Sequence, residues 1–118
     1  MKTTFIPTGA LRPLAILAGV LLIAGCGGAA SRLASHVHRG KDYFAQGDFT
    51  HASIEFRNAL QIEPKNLEVM LLAGRTAEKL GKVRDAAGFY QALVDAAPDD
   101  VQGRANLGRL YAMAHAPD

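Results

Sequence analysis

The 118-residue chain has a single cysteine, Cys26. One thiol excludes a fold stapled by intramolecular disulfides. The chain also lacks an excess of charge of either sign, with 13 Lys+Arg against 11 Asp+Glu. Its one unbroken apolar run, Leu14 to Ile23, is about half the roughly 20 residues a membrane-spanning helix requires. Catalytic signatures are missing too. Gly74 to Gly81-Lys82 has the wrong spacing for a phosphate-binding loop and no Ser or Thr after the lysine. No His-Glu-x-x-His, Gly-x-Ser-x-Gly or cysteine pair occurs. His36 and His38 are two apart, so on a helix they point to different faces and read as solvated side chains. His51 and His115 have no partners in sequence. The chain is therefore read as non-enzymatic, with no cofactor, no metal and no small-molecule substrate. A hydrophobic content of 49% with 20% charged residues excludes an intrinsically disordered chain and fits one small domain.

Residues 1–25 carry Lys2 and Arg12, no acid, and a short apolar core ending in small residues, the pattern of an export signal. The segment closes Leu22-Ile23-Ala24-Gly25-Cys26. This resembles the bacterial lipobox, and the resemblance implies cleavage after Gly25 and lipid on the Cys26 thiol. Residues 26–32 then form the lipidated cysteine and a flexible linker. A soluble protein cut near Ala29 is the alternative. Gly27 and Gly28 follow the cysteine in place of Asp, which by the Gram-negative sorting pattern favours the outer membrane over the inner. Removing Lys2 and Arg12 leaves 11 basic residues against 11 acidic, so the apparent basicity belongs to the signal. No argument for nucleic acid survives.

The rest repeats at an offset of 34 residues: Gly40, Gly74 and Gly108 align, as do Gly47 with Gly81, Ala52 with Ala86, Phe56 with Tyr90 and Pro64 with Pro98. Asn66 aligns with Asp100 and is placed to cap the helix that follows. The spacing predicts helices over 33–46, 50–63, 67–80, 84–97 and 101–114. Gly47 and Gly81 make tight turns, and Pro64 and Pro98 end the second helix of each hairpin. A glycine inside a helix costs about 1 kcal/mol relative to alanine, a cost tolerated where a neighbouring helix must come close.

Arg104-Ala-Asn-Leu107-Gly108-x-x-Tyr111, with Ala52-x-x-x-Phe56 and Ala86-x-x-x-Tyr90 each followed eight residues later by proline, resembles the tetratricopeptide repeat. The resemblance implies an all-α solenoid of helix hairpins, about two and a half 34-residue repeats: 33–66, 67–100, and the first helix of a third over 101–118. His36 and Arg39 stand where large apolar residues are usual and suit an exposed N-terminal edge, while Leu93 replaces a small residue. Leu107, Leu110, Tyr111 and Met113 make the last helix more apolar than a dedicated cap. That favours the start of a longer repeat protein, with a short or truncated protein as the alternatives.

In such stacks the first helices line a concave groove that binds proteins. By register, Lys41, Arg75 and Arg109 recur there roughly 10 Å apart, as a basic ladder flanked by Val37, Phe44, Leu71, Ala105 and Met113. A ladder of that kind could take a carboxylate-bearing segment. The alternative is an ordinary solvated face, with Glu68 and Glu78 close enough to neutralise Arg75. The positions of the chaperone-binding carboxylate clamp hold Val37, Lys41, Leu72, Gln102 and Asn106, only one of them basic, so that activity is not supported. The runs Gly40-Lys-Asp-Tyr-Phe-Ala-Gln-Gly-Asp-Phe and Ile54-Glu-Phe-Arg-Asn-Ala-Leu-Gln-Ile-Glu-Pro64 are similar to tetratricopeptide lipoproteins of exopolysaccharide and PEP-CTERM/exosortase systems. A pilotin-like assembly lipoprotein and the regulatory N-terminal region of a longer envelope enzyme are the competing expectations.

Overall fold

The computed structural model describes residues 12–116, with side chains described from Gly27 onward. Two units are distinguished, Met1–Ser31 and Arg32–Asp118, and the hairpin stack lies in the second. Five helices follow in order: α1 Arg12–Ala45, α2 Phe49–Ile62, α3 Leu67–Lys79, α4 Val83–Ala96 and α5 Val101–Ala114. No strand occurs among the described residues. The expected helix ends agree to within a residue, except at the start of α1. Gly27 to Ser31, expected to be flexible, lie inside that helix. No proline occurs between Pro13 and Pro64, so nothing removes a backbone donor from this stretch.

The turns use backbone chemistry that the repeat spacing foretold. Gly47 (φ 78°) and Gly81 (φ 72°) are the only described residues with positive φ. At each turn two donors return to the helix end. Asp48 N–H bonds to Tyr43 O and Gly47 N–H to Phe44 O; Lys82 N–H bonds to Ala77 O and Gly81 N–H to Glu78 O. That pair of bonds is the Schellman closure, which needs a left-handed residue and so favours glycine. Asn66 and Asp100 cap α3 and α5 by accepting from Val69 N–H (3.0 Å) and Gly103 N–H (2.7 Å). Asp48 does the same for α2 through His51 N–H, whereas Lys82 offers α4 no side-chain cap.

Within each hairpin the helices meet at a glycine. A Cβ on Gly40 would sit 2.5 Å from the ring of Phe56, and one on Gly74 would sit 2.4 Å from the ring of Tyr90. Both rings are fully buried, each contributing about 3 kcal/mol by leaving water. Neither ring can swing aside, so glycine is required at both places. Ala52 and Ala86, also fully buried, keep the second helices close.

The core falls into two clusters along the stack. Ala52, Phe56, Ala59, Val69 and Ala73 form the first. Ala77, Ala86, Tyr90, Leu107 and Leu110 form the second, and Phe89 packs against both. The larger Leu93, in the place of Ala59, is also buried. It is accommodated because Gly103 stands where Val69 does one repeat earlier; a Cβ on Gly103 would lie 3.0 Å from the Leu93 side chain. Volume has been exchanged across the interface rather than added to it.

His36 and Arg39 form an edge as expected, though His36 is not simply solvated. Its Nδ1 lies 2.6 Å from Glu55 Oε2, and Arg39 donates to both Glu55 oxygens at 3.1 Å. One repeat later the same three places hold Met70, Ala73 and Phe89. Met70 and Ala73 are buried and Phe89 packs between the clusters.

Candidate functional site

The ladder residues Lys41, Arg75 and Arg109 sit on the first helices α1, α3 and α5, but they are not bare cations. Lys41 Nζ lies 2.5 Å from Glu68 Oε1 on α3, and Arg75 donates to Gln102 Oε1 on α5 at 2.9 Å. Each reaches 27 residues ahead, to the first turn of the next first helix. Arg109 turns back instead and donates to both oxygens of Glu78 at 2.7 Å. Glu68 and Glu78 therefore pair with Lys41 and Arg109, not with Arg75 as their nearness in sequence suggested. Arg75 alone of the three is matched with a neutral amide.

Phe44, Arg75, Glu78, Lys79, Asn106 and Arg109 line an open hollow of about 210 Å³. It brings together three of the expected groove residues, Phe44, Arg75 and Arg109. The others are placed differently. Val37 packs against the first core cluster and Leu71 against the second, so much of their surface is already used. Phe44 also packs on the first cluster and meets Phe49 edge-on at 5.2 Å between ring centroids. Ala105 and Met113 are exposed, and Met113 Sδ lies 3.7 Å from Arg109 Nη1. Cys26 falls within α1, but its side chain is outside the described residues.

Glu78 is the electrostatic centre of the hollow. Its Oε1 accepts from Tyr90 OH at 2.5 Å as well as from Arg109. Partial burial works to raise its pKa, but the hydrogen bonds from Arg109 and Tyr90 outweigh burial and hold it below the usual 4.5. Burial and the same bond to Glu78 push the Tyr90 hydroxyl well above its ordinary range. At this joint of α3, α4 and α5 an anionic carboxylate is held by a neutral phenol and a guanidinium. Sequence reading passed over Tyr90 as core, weighed Asn106 only as a position of the carboxylate clamp, and did not select Lys79. The repeat alignment contained a signal for the first, because Glu78 with Tyr90 replaces Phe44 with Phe56.

The remaining histidines find partners only three or four residues away, which the sequence reading overlooked. His51 Nδ1 lies 2.7 Å from Asp48 Oδ2, and its ring stacks on Tyr43 at 5.2 Å. His38 pairs with Asp42 at 3.0 Å, while His115 Nδ1 faces the Tyr111 carbonyl oxygen at 2.9 Å. Among the described residues no three His, Cys, Asp or Glu side chains gather as a metal site. Among them, too, no helix is long and apolar enough to cross a membrane.

Hairpins with an aromatic ring seated over a helix glycine, stacked with an open hollow on their first helices, define a helical-repeat binding scaffold. The Tetratricopeptide repeat family matches residues 43–117, more than half of the chain, and the protein belongs to that family. No curated protein matches the sequence.

Proposed function

We propose that this tetratricopeptide repeat protein is a lipid-anchored, non-enzymatic scaffold of the bacterial cell envelope. Cys26 carries the anchor, and the first-helix face of the stack holds an acidic segment of a partner protein on the periplasmic side. The outer membrane is the preferred site, with exopolysaccharide or PEP-CTERM export as the setting. The observation that carries the binding reading is the hollow itself: an apolar wall at Phe44 beside Arg75 and Arg109. Arg75 supplies the first contact, because a carboxylate can displace the neutral Gln102 amide more readily than it can displace Glu78 from Arg109. The anchor reading is supported by the Leu22-Ile23-Ala24-Gly25-Cys26 ending of the signal-like segment.

Two measurements test the two halves separately. Metabolic labelling with a fatty acid is expected to mark the wild-type chain and not Cys26→Ala; persistent labelling removes the anchor. Envelope proteins captured by the full chain are expected to be lost on Arg75→Glu, with Lys41→Glu having less effect. Equal capture by both variants and wild type returns the face to solvent.

A further inference from the structure

The hollow on the first helices holds more positive charge than its own residues use. Arg75, Lys79 and Arg109 line it, with Glu78 as its single carboxylate. Arg109 donates to both Glu78 oxygens, so that cation and that anion cancel. Arg75 is bonded to the neutral Gln102 amide, and the ion pairs among the described residues include neither Arg75 nor Lys79. Two positive charges are therefore left uncompensated, and both are exposed on α3. They stand four residues apart, so they share one helix face with about 6 Å of rise between them.

We propose that the hollow selects a partner segment with two acidic side chains separated by one residue and held extended, Arg75 taking one carboxylate and Lys79 the other. This rests on the acidic-segment reading above and deepens it: that reading needs one carboxylate on Arg75, and the second needs Lys79. In an extended chain, alternate side chains point the same way and lie about 6.6 Å apart, close to the spacing of the two cations. Adjacent acids would point to opposite faces and present only one carboxylate.

A helix also returns to one face every four residues, but one turn of a helix about 10 Å across fills roughly 400 Å³. The hollow is about 210 Å³. A helix would therefore rest on its rim, whereas the side chains of an extended segment enter singly. Phe44 walls the hollow from α1, and Asn106 offers an amide from α5. The apolar ring keeps water from one side, which strengthens each charge pair over one in open solvent. Lys79 also complements the α3 dipole from the last turn, a role that would serve every ligand alike.

The test uses the full chain and labelled synthetic peptides of equal length, read by fluorescence anisotropy at low salt. Three peptides carry Asp-Val-Asp, Asp-Val-Asn or Asn-Val-Asn between neutral flanks. A fourth, alanine-rich and helical, carries two Asp four residues apart. Asp-Val-Asp is expected to saturate below about 1 mM, a weak limit for a specific site, and to bind about fivefold more tightly than Asp-Val-Asn. Lys79→Gln is expected to remove that advantage while changing Asp-Val-Asn binding less than twofold, because a lone acid takes the planar fork of Arg75. Lys79→Arg is expected to restore it. Lys65→Gln removes the same charge outside the hollow and is expected to leave every peptide unchanged. Equal binding of one acid and two, both lost on Arg75→Gln, overturns the two-acid inference and leaves the acidic-segment reading standing. No saturation by Asp-Val-Asp up to that limit overturns both. Tighter binding of the helical peptide overturns the extended segment. A loss on Lys65→Gln equal to that on Lys79→Gln overturns the site, because net charge alone would then explain the attraction.

Discussion

The first hairpin closes on Phe56, with Phe44 one turn beyond its glycine; the second closes on Tyr90, with Glu78 in the place of Phe44. The first sets Ala59 in the same core cluster as Val69, whereas the second sets Leu93 against Gly103. The two hairpins therefore share a geometry while differing in chemistry at both of their joints. At each joint the change on one helix is matched by a change on the other. A solenoid contact accepts a new residue when its neighbour yields the volume or supplies the hydrogen bond.

The largest test of this pairing lies at the second joint. Leu93→Ala is expected to cost about 3 kcal/mol and Gly103→Val about 2 kcal/mol in chemical denaturation. Made together they recreate the Ala59 and Val69 arrangement, and the double variant is expected to lose well under the sum of the two. Strict additivity would mean that the two sites are not one contact.

Next in size is a comparison of the same substitution at two glycines. Gly74→Ala is expected to lose about 2 kcal/mol net, because overpacking against Tyr90 exceeds the gain in helix propensity. Gly108→Ala is expected to gain about 1 kcal/mol, having nothing to overpack. Equal effects would remove the distinction between the filled slot and the open one.

A smaller effect separates the two aromatic rings. Tyr90→Phe removes one donor from Glu78 and is expected to cost about 1 kcal/mol, with Arg109 still bonded to the carboxylate. Phe56→Tyr would find no acceptor at Phe44 and is expected to destabilise as well, so neither hairpin accepts the other's ring.

The smallest effect is in acid. Arg39, then His36, hold Glu55 below 4.5 against the opposing effect of burial, as Arg109 and Tyr90 do for Glu78. A carboxylate whose pKa is lower folded than unfolded binds fewer protons in the native state. Its contribution is complete above the unfolded value of about 4.5 and is lost as pH falls through the folded value. The denaturation midpoint is therefore expected to be flat from neutrality to about pH 5 and to fall below about pH 4.5. Glu55→Gln and Glu78→Gln should each flatten that fall, and a fall unchanged in both would assign it to other carboxylates.

Much of this architecture was legible before any coordinates. Gly47, Gly81, Pro64, Pro98, Asn66 and Asp100 act on their own backbone or on residues three to five away, so their spacing alone placed the helix ends. The aligned glycines marked where helices come close, but that the rings of Phe56 and Tyr90 sit over Gly40 and Gly74 was shown only by the fold. The groove was harder to read. Lys41, Arg75 and Arg109 were correctly placed on successive first helices, but register cannot say which carboxylate each will meet. That depends on side chains crossing between helices 27 to 31 residues apart in the chain. Val37 and Leu71 belong partly to the core for the same reason.

Sequence by itself therefore determined the hairpins, their turns and their caps, because those rest on short-range hydrogen bonds and on the forbidden left-handed region. Tertiary structure decided how the charges pair and which glycine is filled. Those outcomes depend on the distance between helices, and only the folded chain sets that distance.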